Sequence, residues 1–353
     1  MSNYLHQIKR CLICSDYLNQ SFNQKVEETK PMENKMNNPN RIVTLTINPA
    51  IDKSTKFSGL IAEQKIRCEE PRFDAGGGGI NVSKAIARLG GKSLAIFTAG
   101  GASGQILEDL VKKENIDYQV VKTKSWTRES FTAVDSLTDL QYRFGMPGSE
   151  IYADELEEIL KTIEQLRPKY LVASGSLPPK IGDNFYEKVA AISRKIGSKL
   201  IIDTSGEPLK CAIDEGVYLL KPNVSELAKL VGVETLEMDD VDDAAREIIA
   251  KGGCEIVVVS LGPQGAMLVT KDFCEHIPAP PVQKKSTVGA GDSMVGGMVW
   301  ALSEDKSLQE MLRWGVACGS AATMNEGTQL FKGEDAQKLF TWLQNYSKKY
   351  GKK

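Results

Sequence analysis

The chain has 353 residues, of which 41% are hydrophobic, so it is long enough for one large domain or two ordinary domains with a buried core. Lysine and arginine total 44 against 46 aspartates and glutamates, so no basic field predicts a nucleic-acid partner. No apolar run reaches the roughly 18 residues of a membrane-spanning helix. The seven scattered cysteines predict no disulfide framework. We therefore expect a cytoplasmic protein with neither a membrane nor a nucleic-acid partner.

Histidine is scarce, and this restricts the chemistry that the chain can carry out. Only His6 and His276 occur. A Ser-His-Asp triad or a histidine-rich zinc site is therefore disfavoured. If the chain is an enzyme, we expect its proton acceptor to be a carboxylate.

The predicted elements begin after a polar leader. Residues 1–40 are rich in Asn, Gln, Lys and Glu without hydrophobic periodicity, which predicts a disordered segment. The first predicted strand covers residues 41–47. Short apolar strands then alternate with amphipathic helices, for example a helix at 80–89 and a buried strand at 256–260. This alternation predicts one α/β domain at 41–353, built on a doubly wound, mainly parallel sheet flanked by helices.

Two stretches interrupt the alternation of strands and helices. Residues 51–73 and 126–146 alternate polar with apolar side chains and contain turn residues. This pattern is typical of hairpins that lie outside a buried parallel sheet. We predict that the two stretches together form a small β lid over one edge of the domain.

The segment at 286–293 reads STVGAGDS and predicts an anion-binding turn. Its glycines allow a ligand to approach the backbone, and the apolar helix predicted to follow at 293–302 offers free N–H groups in its first turn. Asp292 lies at the mouth of this turn, where a carboxylate can accept a proton while the amides hold a phosphate. Aspartate is also a favoured helix cap, so a purely structural role stays open, and the two roles are compatible.

Two common nucleotide-binding motifs are missing from the sequence. No GxxxxGK[ST] occurs, which argues against a P-loop kinase, and neither glycine run spells GxGxxG, which disfavours a nicotinamide enzyme. Polar groups instead follow several predicted strands, where a doubly wound sheet binds its ligands. They are Asn48 and Asp52, the run from Ser174 to Ser176, Asp203, Lys221 with Asn223, and Ser260 with Gly262.

Two longer signatures resemble those of the ribokinase-like (PfkB) carbohydrate kinases. They are GGGGINVSKAIARLGG at 76–91 and STVGAGDSMVGGM at 286–298. Between them, in the order typical of the family, lie SGSLPP at 174–179, KPNVSEL at 221–227 and SLGPQGA at 260–266. The resemblance extends from about residue 41 to the end of the chain. It implies the ribokinase-like fold and the ATP-dependent phosphorylation of an alcohol group on a sugar.

Within the family, the sequence is most similar to the minor, ATP-regulated type of bacterial 6-phosphofructokinase. This likeness rests on WTRES at 126–130, QYRFGMPG at 141–148 and NEGT at 325–328. Family members that act on hexose 1-phosphates or tagatose 6-phosphate typically have GGKG, and Gly78 stands in the place of that lysine. The resemblance therefore implies phosphorylation of fructose 6-phosphate at its 1-hydroxyl to fructose 1,6-bisphosphate, a step of glycolysis. A 1-phosphofructokinase, a tagatose-6-phosphate kinase and a non-catalytic sensor of sugar phosphates or nucleotides remain alternatives.

The matched motifs also imply roles for individual residues in catalysis and sugar binding. Asp292 is the expected general base for the 1-hydroxyl, and we expect it to ionise near pH ~4, as exposed aspartates do. The amides of Gly289, Ala290 and Gly291 form the expected anion hole. The residues expected to contact the sugar hydroxyls are Asp52, Gly77, Gly78 and Asn81, and those expected to neutralise the 6-phosphate are Lys65, Arg67, Arg128 and Arg143.

The same resemblance implies sites for ATP, Mg²⁺ and K⁺. Glu226 is expected to hold Mg²⁺ through water, assisted by Asp203, although a carboxylate at this position also compensates a helix dipole. The residues expected to face the nucleotide are Lys221, Asn223, Ser260, Gly262, Gly265 and Thr287. The residues expected to form a loop for K⁺ are Ser286, Val288, Ala322, Asn325 and Gly327.

The resemblance to this subgroup also bears on the bound cation and on the oligomeric state. Gln329 stands where the subgroup often has an arginine, which leaves the cation preference open. Because the lids of this subgroup pair between protomers, the resemblance also implies a homodimer formed through the lid.

Overall fold

The computed structural model describes residues 42–350, and thirteen strands occur in this range. In chain order they are β1 Ile42–Thr46, β2 Ala50–Phe57, β3 Arg72–Gly76, β4 Ser93–Ala99, β5 Asp117–Lys122, β6 Arg128–Asp135, β7 Leu140–Gly145, β8 Tyr170–Ser174, β9 Lys199–Asp203, β10 Val217–Leu220, β11 Cys254–Ser260, β12 Ala266–Thr270 and β13 Cys274–Ile277. The α-helices of the same range are α1 Gly78–Arg88, α2 Gly101–Lys113, α3 Ala153–Leu166, α4 Phe185–Ile196, α5 Glu207–Glu215, α6 Val224–Val231, α7 Val241–Ala250, α8 Ala290–Ser303, α9 Leu308–Thr323 and α10 Gly333–Tyr350. Short 3₁₀ helices lie at Met238–Asp240 and Gly262–Gln264.

The central sheet has nine strands in the order β13-β12-β11-β10-β9-β8-β1-β4-β5. The seven strands from β11 to β5 pair in parallel, as the alternation of strands and helices predicted. The chain moves outward from β1 to β4 and β5 and then returns to β8 on the other side of β1. This reversal creates a switch point beside β1, where sheets of this type bind ligands. The antiparallel edge formed by β12 and β13 was not predicted.

Hydrophobic side chains cover both faces of the central sheet. Successive residues of a strand point to opposite faces, and Ile42 belongs to one core cluster whereas Val43 and Leu45 belong to another. Buried residues of α1, α8, α9 and α10 complete the first cluster, and those of α3 to α7 complete the second. A sheet buried on both faces leaves its strand ends as the place for polar chemistry.

The predicted lid is a separate sheet of four strands in the order β3-β2-β6-β7. Strands β2 and β3 pair antiparallel, as do β6 and β7, while β2 and β6 pair in parallel and join the two hairpins. This arrangement confirms the two predicted hairpins outside the main sheet. It also places the residues of β2 directly after β1, at the switch point.

Besides the edge strands β12 and β13, the sequence interpretation missed two helices and one further strand. Helices α3 and α5 and strand β5 were not predicted, because much of each is charged or polar and the apolar stripe is narrow. The predicted disordered leader at 1–40 lies outside the described residues. Between residues 42 and 350, no helix is long and apolar enough to cross a membrane.

Candidate active site

Asp292 lies in the first turn of α8, and the N-terminus of this helix lies at the carboxyl ends of the central strands. The cap residue Gly289 has φ 74°, a left-handed conformation that glycine adopts without strain. Further along α8, a Cβ on Gly296 would lie 2.5 Å from the Cβ of Ala85 in α1, so the two helices approach more closely than larger residues would allow. This packing holds the glycine turn at the carboxyl edge of the sheet.

Two side chains from other elements hold the Asp292 carboxylate. Asn81 Nδ2 of α1 donates to Oδ2 at 3.0 Å, and Ser174 Oγ at the end of β8 donates to Oδ1 at 3.3 Å. The pKa of Asp292 is raised to about 6, because burial and the nearby Asp203 carboxylate raise it by more than Asn81, Lys221 and Ser174 lower it. The expectation that Asp292 ionises near pH ~4 was therefore wrong, because the sequence did not reveal how enclosed the side chain is.

The glycine turn presents amides at the positive end of a 14-residue helix. Among the described residues, no acceptor is recorded for the Gly289 and Gly291 amides, whereas the Ala290 amide donates to the Thr287 carbonyl at 3.3 Å. Lys221 Nζ lies 3.7 Å from the position that a Cβ on Gly291 would occupy. The turn thus combines two free donors with a neighbouring ammonium, which suits a phosphoryl group.

Lys221 follows β10 and is almost fully buried, with its Nζ 3.1 Å from Asp203 Oδ1 at the end of β9. Burial alone lowers the pKa of a lysine, but the carboxylates of Asp203, Glu226 and Asp292 outweigh burial and raise the pKa of Lys221. The ammonium therefore stays charged in a site that contains three carboxylates.

Asn223 and Glu226 form a capping box at the start of α6. The Glu226 amide donates to Asn223 Oδ1 at 2.9 Å, and the Asn223 amide donates to Glu226 Oε2 at 2.9 Å. The structural role considered for Glu226 is thus present. The second carboxylate oxygen of Glu226 has no recorded partner among residues 42–350.

The acidic residues near the glycine turn can hold a Mg²⁺ ion that is also bound by the phosphates of a nucleotide, but they do not form a metal site on their own. No group of three or more metal-ligating side chains occurs in the described part of the chain. Mg²⁺ usually keeps several waters and uses one or two carboxylates together with substrate phosphates. Asp203 and Glu226 supply such a donor set beside the glycine turn.

The two segments of the predicted potassium loop meet in the structure. Ser286 Oγ donates to the Gly327 carbonyl at 3.0 Å, and the Val288 amide donates to Ser286 Oγ at 3.2 Å. The Ala322 carbonyl accepts from the Asn325 amide at 3.2 Å. A hydroxyl and several carbonyl oxygens are a suitable donor set for a monovalent cation, so these residues fit K⁺.

On the lid side, Asp52 of β2 faces Arg128 of β6. The pKa of Asp52 is raised to about 6, because burial, with a smaller contribution from Asp74, outweighs the lowering effect of Arg128 and the other nearby cations. Arg128 donates to the Asn48 carbonyl at 3.1 Å and the Met146 carbonyl at 3.3 Å, which fixes the guanidinium between the lid and β1. A cleft of about 530 Å³ opens beside Arg128, between the lid and the loops after β8 and β9.

The glycines of the first signature bring the start of α1 against β8. A Cβ on Gly78 would lie 2.2 Å from Ser174 Oγ and 2.8 Å from the Ser174 backbone carbon, so position 78 admits no side chain without rearrangement. Gly77 has φ 125°, which favours glycine. Asn81 follows one turn later and donates to Asp292, so a hydrogen bond joins the predicted sugar site directly to the predicted base.

The other cations predicted to bind the 6-phosphate, Arg143, Lys65 and Arg67, are all exposed. Arg143 of β7 is exposed and lies close enough to Asp52 to lower the pKa of that carboxyl. Lys65 and Arg67 are exposed in the loop between β2 and β3, and no partner is recorded for either among the described residues.

The residues predicted to face the nucleotide lie at the other end of the site. Ser260 pairs with Asn223 in an isolated β-bridge, and Thr287 is exposed. Gly262 has φ 58°, and Gly265 has φ 97°.

Two residues of the site were not assigned from the sequence. Ser174 ends β8 and bonds Asp292, and its position at a strand end was the available signal. Lys84 of α1 is only 3% exposed and lies near Asp52, where its charge lowers the pKa of the aspartate. The sequence did not indicate that Lys84 is buried, because lysines on helices are mostly exposed.

Comparisons with known proteins agree with this geometry. The sequence model of the pfkB family carbohydrate kinases matches residues 40–334. The chain is 45% identical over 305 residues to the ATP-dependent 6-phosphofructokinase isozyme 2 of Escherichia coli strain K12, a match that covers 86% of this chain and 99% of that protein.

Solved structures match over the same extent. Phosphofructokinase-2 from Escherichia coli in complex with fructose-6-phosphate has a TM-score of 0.82 and 43% identity, and its complex with potassium has a TM-score of 0.83 and 45% identity. Each match covers 86% of this chain and 99% of the other chain. The chain therefore belongs to the pfkB family of carbohydrate kinases and has the ribokinase-like fold.

Proposed function

We infer that the chain is an ATP-dependent 6-phosphofructokinase, which converts fructose 6-phosphate to fructose 1,6-bisphosphate. The observation that carries this inference is the Asp292 carboxylate at the start of α8, held by Asn81 from the sugar side and beside the free amides of the glycine turn. The 45% identity to a 6-phosphofructokinase over nearly its whole length supports the same substrate.

The reaction needs one proton acceptor and a site for negative charge. Asp292 takes the proton of the sugar's 1-hydroxyl as that oxygen forms its bond to the γ-phosphorus, while the bond from the γ-phosphorus to the leaving oxygen of ADP breaks. The amides of Gly289 and Gly291 donate to the transferring group, and Lys221 adds a positive charge beside them. Asn81 and Ser174 orient the carboxylate so that it faces the hydroxyl.

The metal ions have separate places in this proposal. Mg²⁺, when bound with ATP, neutralises charge on the phosphates, and Glu226 and Asp203 are the residues that would hold it. K⁺ would bind the oxygens of the Ser286 and Gly327 segments and fix the loop that leads into the glycine turn. We assign these roles from the donor sets and from the family resemblance.

Arg128 and Arg143 are the proposed ligands of the sugar's 6-phosphate. Both belong to the polar face of the lid, and both act electrostatically on Asp52, the proposed ligand of a sugar hydroxyl. The guanidinium of Arg128 is held in place by four hydrogen bonds to protein oxygens, so it offers a phosphate a fixed positive charge and one remaining N–H donor. The exposed Lys65 and Arg67 would reach the substrate only if their loop closes.

The proposed function is tested by a coupled assay of ADP release with MgATP and K⁺. Fructose 6-phosphate, fructose 1-phosphate and tagatose 6-phosphate are presented separately, and kcat/KM is compared. We expect a clear preference for fructose 6-phosphate. Preference for another sugar would leave Asp292 as the base but overturn the substrate assignment. Folded protein that binds ATP and turns over none of the three sugars would be a sensor instead.

We also propose that the chain forms a homodimer through its lid. One face of the lid carries a row across its four strands, formed by Phe73, Lys53, Phe131 and Phe144, which are cross-strand neighbours in register. Phe131 and Phe144 stack with ring centroids 5.9 Å apart, and Lys53 lies over the Phe73 ring. Phe73 and Phe144 are 42% and 50% exposed, and a second lid would cover them.

A further inference from the structure

A small pocket with an excess of positive charge lies between the lid strand β3, helix α1 and the segment that leads into α10. Its volume is about 200 Å³. We call it the basic pocket, and the charged side chains of its lining are Arg72, Lys84, Arg88, Lys332 and Glu114. Asn325, Thr328 and Gln329 complete the polar part of the lining. Of these residues, Asn325 belongs to the proposed potassium loop and Lys84 acts electrostatically on Asp52, whereas no catalytic role has been proposed for the others.

The charges of the basic pocket do not balance. Glu114 is shared by two cations, with Oε1 3.5 Å from Lys84 Nζ and Oε2 3.3 Å from Arg88 Nη2. Arg72 pairs with Asp74 at 2.7 Å. Four cations therefore face two carboxylates, which leaves two positive charges. Lys332 is exposed, and no carboxylate lies within 4 Å of it among residues 42–350.

Lys84 is the most informative member, because a buried ammonium is costly unless it is well paired. Its side chain is 3% exposed, and its Nζ donates to the Ala75 carbonyl at 3.3 Å in addition to the 3.5 Å contact with Glu114. Charge-assisted hydrogen bonds of this type are usually about 2.7–2.9 Å long. Lys84 is therefore a buried cation with loose partners and one ammonium proton to spare.

We propose that the basic pocket binds a phosphate group, either as inorganic phosphate or at the end of a small phosphorylated metabolite. Arginine and lysine donors around a confined space are the usual ligands of phosphate. The volume is below the roughly 300–1,000 Å³ of pockets that enclose drug-sized ligands, so a nucleotide does not fit. The Thr328 hydroxyl is already engaged with Asp74 Oδ2 at 2.6 Å, so the cations are the main ligands.

An anion in the basic pocket contacts three parts of the domain at once. Arg72 belongs to the lid, Lys84 and Arg88 belong to α1, and Asn325 belongs to the proposed potassium loop. Binding therefore stabilises the lid and the loop relative to each other. This regulatory site is separate from the proposed sugar-phosphate site at Arg128.

The test is isothermal titration of the full-length protein with inorganic phosphate and, separately, with glycerol 3-phosphate. The variants are the double substitution Arg88→Gln with Lys332→Gln, and Lys332→Gln alone, which changes only an exposed side chain. Lys113→Gln, an equal charge change on the exposed end of α2, is the matched control. Arg128→Gln reports anion binding in the proposed sugar-phosphate site.

We expect one class of phosphate binding that weakens at least tenfold in the double variant and less in Lys332→Gln, but persists in Lys113→Gln and Arg128→Gln. Tighter binding of glycerol 3-phosphate would identify a metabolite as the occupant, and tighter binding of inorganic phosphate would identify the free ion. The proposal is overturned if the wild-type protein binds neither probe, if only Arg128→Gln weakens binding, or if Lys113→Gln weakens it equally. None of these outcomes depends on turnover, so the kinase assignment is judged independently.

Discussion

Asp292, the proposed base, is also part of a hydrogen-bonded framework. Asn81 and Ser174 each donate to a different oxygen of its carboxylate, so the group is oriented before any substrate binds. The same enclosure that orients the carboxylate raises its pKa to about 6. A base with a pKa closer to neutral pH is stronger while it is still mostly ionised at pH 7.

Replacing the base should separate catalysis from binding. We expect Asp292→Asn to lower kcat by about 10²–10⁴-fold with little change in KM, because proton transfer is lost while the amides and Lys221 remain. The coupled assay of ADP release measures this change. Asp243→Asn, an exposed position in the first turn of α7, is the matched control and should keep full activity. Turnover that stays within a few-fold of wild type would rule out Asp292 as the base.

The raised pKa of Asp292 also predicts the pH dependence of the enzyme. The protonated carboxyl cannot accept a proton, so we expect kcat/KM to fall about tenfold per pH unit below pH 6 and to level off above it. Substrate phosphates also ionise near pH ~6. The residual activity of Asp292→Asn is therefore the control, since its profile keeps the contribution of the substrate and loses that of the base. Activity that falls only near pH ~4 would show that Asp292 titrates like an exposed aspartate.

At the scale of the elements, the site depends on how closely α1 approaches β8. Gly78 in α1 lies against Ser174 and Gly175, and Gly79 lies against the Leu45 carbonyl of β1. These contacts bring Asn81 within reach of Asp292, which lies 211 positions later in the chain. The glycines of the first signature thus serve the packing of the fold, in addition to the sugar contacts that we propose for Gly77 and Gly78.

A methyl group at position 78 should disturb this approach. We expect Gly78→Ala to lower the free energy of unfolding by about 1–3 kcal/mol and to reduce kcat, because the new Cβ overlaps Ser174 and displaces the partners of Asp292. Urea unfolding and the coupled assay measure the two effects. Gly145→Ala in β7 is the control, since no atom lies within 4 Å of its added Cβ. Equal behaviour of the two variants would contradict the packing argument.

The sequence predicted single elements with strong local patterns well, but it predicted less well how these elements pair and pack against one another. The buried strands and the glycine turn were predictable because apolar runs and glycines have direct local causes. The antiparallel edge at β12 and β13 was not, because short apolar strands do not reveal their direction. The pKa of Asp292 and the burial of Lys84 depend on groups distant in sequence, which no local pattern contains.

At the scale of the whole molecule, the lid has two faces with different chemistry. Asp52, Arg128 and Arg143 lie on the face that serves the proposed sugar site, and the aromatic row lies on the other. Because successive residues of a strand alternate between faces, the same strands supply both. The proposed dimer interface and the proposed sugar site are therefore two faces of one sheet.

A charge in the aromatic row should separate the protomers. We expect Phe144→Glu to convert the proposed dimer to a monomer and to raise KM for fructose 6-phosphate, because an unpaired carboxylate in an apolar interface is costly. Sedimentation velocity measures the oligomeric state. Val233→Glu changes an exposed apolar residue after α6 and should leave the assembly intact. A dimer that survives Phe144→Glu would place the interface elsewhere.

The parallel pairing of β2 with β6 has a consequence for the order in which the molecule is assembled. A hairpin can form from neighbouring residues, but these two strands are separated in the chain by β3, α1, β4, α2 and β5. Closing so long a loop is entropically unfavourable until the intervening elements are in place. We therefore expect the two halves of the lid to join only after α1, β4, α2 and β5 have folded against β1, so the arginines of β6 and β7 meet Asp52 of β2 later than either hairpin forms.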